Sequence, residues 1–252
     1  MTPSNIGKSH PNYGSFLGAL ALTACALATG CGEADLPDEA GGFEQQSQAL
    51  TGTYDVGVIP STDSCPSGSE KIVINMDDED GSNENSAWGW QGAFVQTNNT
   101  KFVFCRVDGQ KFKPLIRISA NDNYAVLKLG TSCPAGSYGF WKYIDNEDHN
   151  NANSSSGTIA PNVVDGNTRL YFCLFTTVLD TTGVSSFPDL GFSYGVFGRD
   201  MYLGALDKGG LLTDDEDSNN HNSYGYTSVT QTDATRIITY GPNTEFYMTR
   251  VK

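Results

Sequence analysis

Asp77-Asp78-Glu79-Asp80-Gly81-Ser82-Asn83-Glu84-Asn85-Ser86 recurs as Asp145-Asn146-Glu147-Asp148-His149-Asn150-Asn151-Ala152-Asn153-Ser154 and again as Asp214-Asp215-Glu216-Asp217-Ser218-Asn219-Asn220-His221-Asn222-Ser223. The copies lie 68 and then 69 residues apart. Six of the ten positions are identical in all three (Asp, Glu, Asp, Asn, Asn, Ser), and every one carries a side-chain oxygen. Carboxylates packed this closely repel one another unless something neutralises them. Calcium, which takes six to eight oxygens at about 2.3–2.6 Å, would do so. The expected ligands are Asp77, Glu79, Asp80, Asn83 and Asn85, then Asp145, Glu147, Asp148, Asn151 and Asn153, then Asp214, Glu216, Asp217, Asn220 and Asn222. Their spacing differs from that of the twelve-residue helix-loop-helix calcium motif, so composition and recurrence carry this expectation. The competing reading is that Asp and Asn here only make turns and keep the surface soluble.

The repeat extends beyond the acidic run. Tyr54 and Val56, Tyr124 and Val126, and Tyr194 and Val196 open the copies at intervals of 70, and Asn99-Thr100, Asn167-Thr168 and Asn243-Thr244 introduce an apolar strand near the end of each. Lys71 to Met76 alternates, with Ile72, Ile74 and Met76 on one face; Ala87 to Gln96 and Lys101 to Val107 are rich in aromatic and β-branched residues. Clusters of Gly, Asn, Asp and Ser separate these runs, and no segment sustains a helical stripe. The expectation is an all-β fold of three tandem repeats (about 51–118, 119–190 and 191–252), roughly four strands each. A pseudo-threefold domain like a β-trefoil or β-prism would share one core; the alternative is three small disulfide-stapled beads.

Cysteine spacing supports the repeat. Cys65 and Cys105 are 40 residues apart, as are Cys133 and Cys173, while the third copy has Tyr202 and Thr249 near both equivalent positions. Paired loss is what a disulfide predicts, because a stranded thiol is a liability in an oxidising compartment. The expected bridges are Cys65–Cys105 and Cys133–Cys173; a site of four zinc thiolates competes weakly, since no Cys-x-x-Cys pairing occurs.

The N-terminus reads as an address. A weakly basic start is followed by an apolar stretch from Phe16 that is too short to span a membrane, the pattern of an export signal over residues 1–31. Leu22-Thr23-Ala24-Cys25 and Ala28-Thr29-Gly30-Cys31 both resemble the lipobox of bacterial lipoproteins, which implies acylation at Cys31 or Cys25 and a place in the bacterial cell envelope. Residues 32–50 are acidic and poor in large apolar side chains, as in a flexible tether. From residue 51 onward 14 Lys and Arg face 24 Asp and Glu, and the three acidic segments hold 12 of those acids. The negative charge is local, and without a basic stripe nucleic acid is an improbable partner.

Trp88 and Trp90 follow the first acidic run, and Tyr224 and Tyr226 follow the third. Aromatic platforms beside Asp and Asn suit sugar recognition. His149 and His221 occupy different places in their segments, and nucleophile signatures are absent, so no enzyme is expected. The sequence thus points to an exported, lipid-anchored, non-catalytic calcium-binding module, lectin-like toward surface glycans. Its rivals are a structural surface protein rigidified by calcium and a carboxylate-based glycoside hydrolase.

Overall fold

The computed structural model describes residues 52–116, 122–147, 149–179, 181–199, 201, 203–216, 220–226, 231–235, 237–239 and 241–252. The segments expected as export signal and tether, together with Cys25, Cys31, Asp148 and Asp217, lie outside the described residues.

Strand-forming alternation becomes antiparallel ladder throughout. The described strands are β1 (Asp55–Pro60), β2 (Lys71–Met76), β3 (Ser86–Gly89), β4 (Phe94–Gln96), β5 (Thr100–Asp108), β6 (Tyr124–Lys128), β7 (Ser137–Ile144), β8 (Ser154–Ser156), β9 (Val163–Val164), β10 (Thr168–Phe175), β11 (Tyr194–Phe197), β12 (Asp207–Thr213), β13 (Ser223–Tyr226) and β14 (Thr244–Arg250). They join in one hydrogen-bonded sheet network. The described helical structure is a 3-10 turn at Gly109–Lys111 and one short helix, α1, at Gln231–Thr235. Neither is long and apolar enough to cross a membrane.

The three strands led by Tyr-x-Val meet one another: Gly57 pairs with Leu127, Ile59 with Gly195, and Phe197 with Ala125. Each also pairs with the strand that closes its own copy, giving β1–β5, β6–β10 and β11–β14, and those closing strands pair in turn with β2, β7 and β12. The strand after each acidic segment then crosses to a different copy. β8 pairs with β2, β13 with β7, and β3 with β12. The described residues from 52 onward fall in one compact unit and one sheet, which overturns the alternative of separate beads: each copy completes its neighbour's sheet.

Burial follows the pleat. In β2, Ile72, Ile74 and Met76 are fully buried while Val73 and Asn75 are half-exposed, the period-two pattern of a strand with one face in the core. One apolar cluster gathers these residues with Phe102, Phe172, Phe197 and Phe246, so aromatic rings from all three copies meet. Phe102 packs edge-on to Phe246 at 5.0 Å between centroids, and Phe172 packs edge-on to Phe197 at 5.3 Å. A second cluster, around Val56, Phe112, Tyr124, Val126, Phe175 and Tyr194, includes the disulfides Cys65–Cys105 and Cys133–Cys173. In the third copy the buried Thr249 hydroxyl instead donates to the Gly198 carbonyl at 2.7 Å.

The run Ala87 to Gln96, rich in aromatic and β-branched residues, divides between β3 and β4. Gly89 and Gly92 adopt positive φ (65° and 67°), which turns the chain from β12 toward β5. The short strands β4 and β9 account for the excess over four per copy.

Candidate metal centre

Each acidic segment begins where a ladder ends, at the pairs Met76–Thr100, Ile144–Thr168 and Thr213–Thr244. Its backbone groups need new partners there, and side chains of another copy supply them. The Asp77 N–H donates to Asn153 Oδ1 (2.7 Å), Asp145 N–H to Asn222 Oδ1 (2.9 Å), and Asp214 N–H to Asn85 Oδ1 (2.7 Å). In return the three Asp carboxylates accept from the N–H groups of Ala152, His221 and Glu84 at 2.6–2.7 Å. The N–H groups of Glu147, Glu216 and Glu79 donate to the carbonyls of Asp77, Asp145 and Asp214. First copy bonds to second, second to third, and third to first.

Asn83, Asn151 and Asn220 shape each segment from within. Their amides donate to the carbonyls of Glu79, Glu147 and Glu216 at 2.6–2.8 Å, and their carbonyl oxygens accept from the N–H groups of Asn85, Asn153 and Asn222. Thus six of the fifteen expected ligands, the first Asp and the second Asn of each segment, lace the segments together, and three more, Asn83, Asn151 and Asn220, brace each segment internally. Replacing Asn153 with Ala leaves the buried Asp77 N–H unpaired and is expected to cost about 1–3 kcal/mol. Thermal unfolding checks this; a change below about 0.5 kcal/mol, the scatter of ordinary surface substitutions, would contradict it.

The lacing brings the repeated glutamates together. Carboxylate oxygens of Glu79, Glu147 and Glu216 lie within 4.8 Å of one another; Glu147 and Glu216 are buried and Glu79 half-buried. Glu147 accepts from the His149 N–H (2.9 Å) and the Asp80 N–H (3.2 Å), and Glu79 accepts from the Gly81 N–H (3.1 Å). Burial pushes the Glu147 carboxyl up, but those two amides and a hydrogen bond from Glu79 outweigh it, so it sits below its ordinary value. Such a cup of oxygens, partly fixed by backbone donors, suits a hard divalent cation. Asp80 is exposed and joins the cup only through its N–H.

A family model described as bacterial ApeC matches residues 36–177, more than half of the chain. The chain belongs to the bacterial ApeC family. No curated protein and no solved structure matches it. The matched span takes in the first two acidic segments of this ApeC protein; Asp214, Glu216, Asn220 and Asn222, which complete the ring, lie beyond it.

Next to the glutamates in sequence the ApeC chain buries a second set of polar residues that the sequence reading did not single out. Asp78, Asn146 and Asp215 occupy the second position of each segment with no exposure. The Thr100 hydroxyl and Asn85 amide donate to Asp78, and the hydroxyls of Thr213 and Thr244 with the Asn222 amide donate to Asp215. Burial nevertheless pushes Asp78 up to about 8, with the charges of Asp215 and Asp77 adding to it, and pushes Asp215 up to about 6. Lys142 is also fully buried, at the ladder position held by Ile74 and Leu211 in the other copies. Its ammonium sits 4.7 Å from the Tyr224 ring centroid without a hydrogen-bond acceptor, and burial lowers it to about 8 against the pull of Asp215.

The expected sugar-binding aromatics divide. Trp90 and Tyr224 are half-buried and pack against the core, and the Tyr224 hydroxyl donates to the Ile238 carbonyl at 3.0 Å. Trp88 and Tyr226 stay at the surface, 49% and 40% exposed. Trp141, half-buried, is a further aromatic on this side: it lies between Tyr171 and Gly225 in the ladder, under the Arg169 guanidinium at 4.9 Å. The run Gly139-Phe140-Trp141-Lys142-Tyr143 was the available signal, but it precedes its acidic segment, where the aromatics of the other copies follow theirs.

Proposed function

We propose that this protein is an exported, lipid-anchored, non-catalytic recognition module in which three repeats stand around a common axis, prism-like, and clamp one divalent cation, calcium first. The observation that carries the proposal is the convergence of Glu79, Glu147 and Glu216, one from each copy, within 4.8 Å. Strand exchange between copies supports the prism-like reading, because it yields β8-β2-β5-β1, β13-β7-β10-β6 and β3-β12-β14-β11 as three equivalent four-stranded sets. A shared cation would tie together segments that otherwise meet through hydrogen bonds and one contact of the His221 imidazole with the Asp145 carboxylate at 3.3 Å. Two disulfides support an oxidising compartment outside the cytoplasm.

A recognition role, with surface glycans as the ligand class, draws on the exposed aromatics of β3 and β13. A glycoside hydrolase sets its two carboxyl groups roughly 5–9.5 Å apart across a cleft. The glutamates crowd more closely than that and face one another, which favours coordination over catalysis.

The test is thermal unfolding of the purified protein, disulfides intact, in chelator, in calcium and in magnesium. Calcium at one hundred times its dissociation constant should add about 2.7 kcal/mol, or roughly 5–10 °C for a domain of this size. Magnesium, which demands a tighter octahedron, should add less. An unchanged melting temperature in calcium would overturn the proposal.

A further inference from the structure

We infer that a pocket on the outer face of β6, β7, β10 and β13 binds the carboxylate-bearing sugar ring of an acidic polysaccharide. The inference rests on the recognition reading and gives it a site and a ligand charge. The pocket, about 90 Å³, is lined by Lys128, Gly139, Trp141, Tyr171, Gly225 and Tyr226 over a floor of buried core rings. Its centre is a cross-strand row: Gly225 pairs with Trp141, Trp141 with Tyr171, and Lys128 follows Leu127, the partner of Phe172. Trp141 is seated over Gly225, where any Cβ would overlap the indole, while Arg169 covers it and also lies 5.4 Å from the Tyr143 ring. The aromatic wall is therefore set before ligand arrives, which limits the ordering cost of binding.

Charge selects the ligand. Lys128 is half-buried at the pocket, and no carboxylate among the described residues lies within ion-pair distance of it. The indole N–H and the two phenol hydroxyls add donors, so the lining offers one cation, hydrogen-bond donors and stacking faces. A sugar carboxylate answers the cation, ring C–H groups answer the aromatic faces, and the volume admits part of one ring. The corresponding rows differ in ways that single this one out. The third copy has Trp88, Gly210 and Tyr247, with Arg199 over Tyr247, but there Glu245 already accepts from the Tyr247 hydroxyl. The first copy has Ser156, Val73 and Val103, with no aromatic ring.

Calorimetric titration with oligomannuronate, and with neutral oligomannose of matched length, tests the inference in millimolar calcium. The wild-type protein should prefer the uronate. Lys128→Gln should weaken uronate binding at least tenfold and remove the preference, and Tyr226→Ser, at an exposed position, should weaken binding of both sugars. Equal binding of both oligosaccharides, unaffected by Lys128→Gln, would overturn this inference and leave glycan recognition standing. Failure of the wild-type protein to bind either would overturn both.

Discussion

In Glu79→Gln the calcium-dependent rise in melting temperature is expected to vanish, while stability in chelator stays equal to wild type or increases slightly. The two halves of this result have separate causes. Without metal, three carboxylates within 4.8 Å repel, and the Glu147 carboxylate is held below its ordinary value partly by a hydrogen bond from Glu79, which requires a proton on that group. A glutamine amide donates the same bond with no proton to supply, and its carbonyl can still accept from Gly81. With metal the balance reverses. A neutral amide replaces one of three anionic ligands, and calcium affinity falls steeply with ligand charge. At a calcium concentration one hundred times the wild-type dissociation constant, about 2.7 kcal/mol of stabilisation is at stake, roughly 5–10 °C.

Glu84→Gln supplies the control. Glu84 is exposed and meets Asp214 only through its N–H, so its replacement should leave the calcium response intact. Scanning calorimetry of both variants, in chelator and in calcium, makes the comparison; a Glu79→Gln protein that keeps the full calcium shift would remove the glutamates from the metal site. On the calcium response, acid should act in the same direction as the substitution. The Glu147 carboxylate is depressed, so its contribution is present above the ordinary glutamate range and is lost as the pH falls below it, where protons compete with the cation.

The all-β fold and the disulfides were legible because their physical requirements are strict. Period-two alternation in Lys71 to Met76 places Ile72, Ile74 and Met76 in the core as expected, and two pairs of cysteines 40 residues apart become two disulfides. The identity of six oxygen-bearing positions was also informative, but it conceals two jobs. An Asn oxygen that could coordinate a cation can equally accept a backbone N–H, and composition cannot distinguish them. Asn85, Asn153 and Asn222 prove to be acceptors for the neighbouring copy, whereas the glutamates at the third position converge. Strand exchange lay beyond reach because β3, β8 and β13 are short, and nothing in Ser154-Ser155-Ser156 names β2 as its partner. Lys142 escaped for a related reason. A charged residue in an alternating strand reads as facing solvent, yet Tyr224 and the strand of the third copy that pairs with β7 help to bury it.

That lysine gives the second large expected effect: Lys142→Leu should stabilise the protein at neutral pH. Leu211 already fills the equivalent place in the third copy, and Ile74 in the first, so the cavity accepts an aliphatic side chain. Burial lowers the lysine from an ordinary 10.5 to about 8, which corresponds to about 3 kcal/mol of folding free energy spent on holding it charged. Its ammonium recovers only the Tyr224 ring and the more distant charge of Asp215, without a hydrogen bond. Removing it deprives Asp215 of a favourable charge, but Thr213, Thr244 and Asn222 still bond that carboxyl, which can also take up a proton more readily. Allowing about 1 kcal/mol for that loss leaves a net gain of about 2 kcal/mol, within the range seen when buried charges give way to apolar residues of similar volume. The pH dependence is specific. Below about 8 both folded and unfolded chains hold the lysine proton and the full cost persists; between there and 10.5 the unfolded chain alone holds it, so wild-type stability rises with pH. The advantage of Lys142→Leu should therefore be largest at pH 7, shrink as the pH rises above about 8, and level off near 10.5. Urea unfolding of the two proteins across that range reads the difference directly, and a Lys142→Leu protein less stable than wild type at pH 7 would show that the buried ammonium is an essential partner of Asp215 and not a tolerated cost.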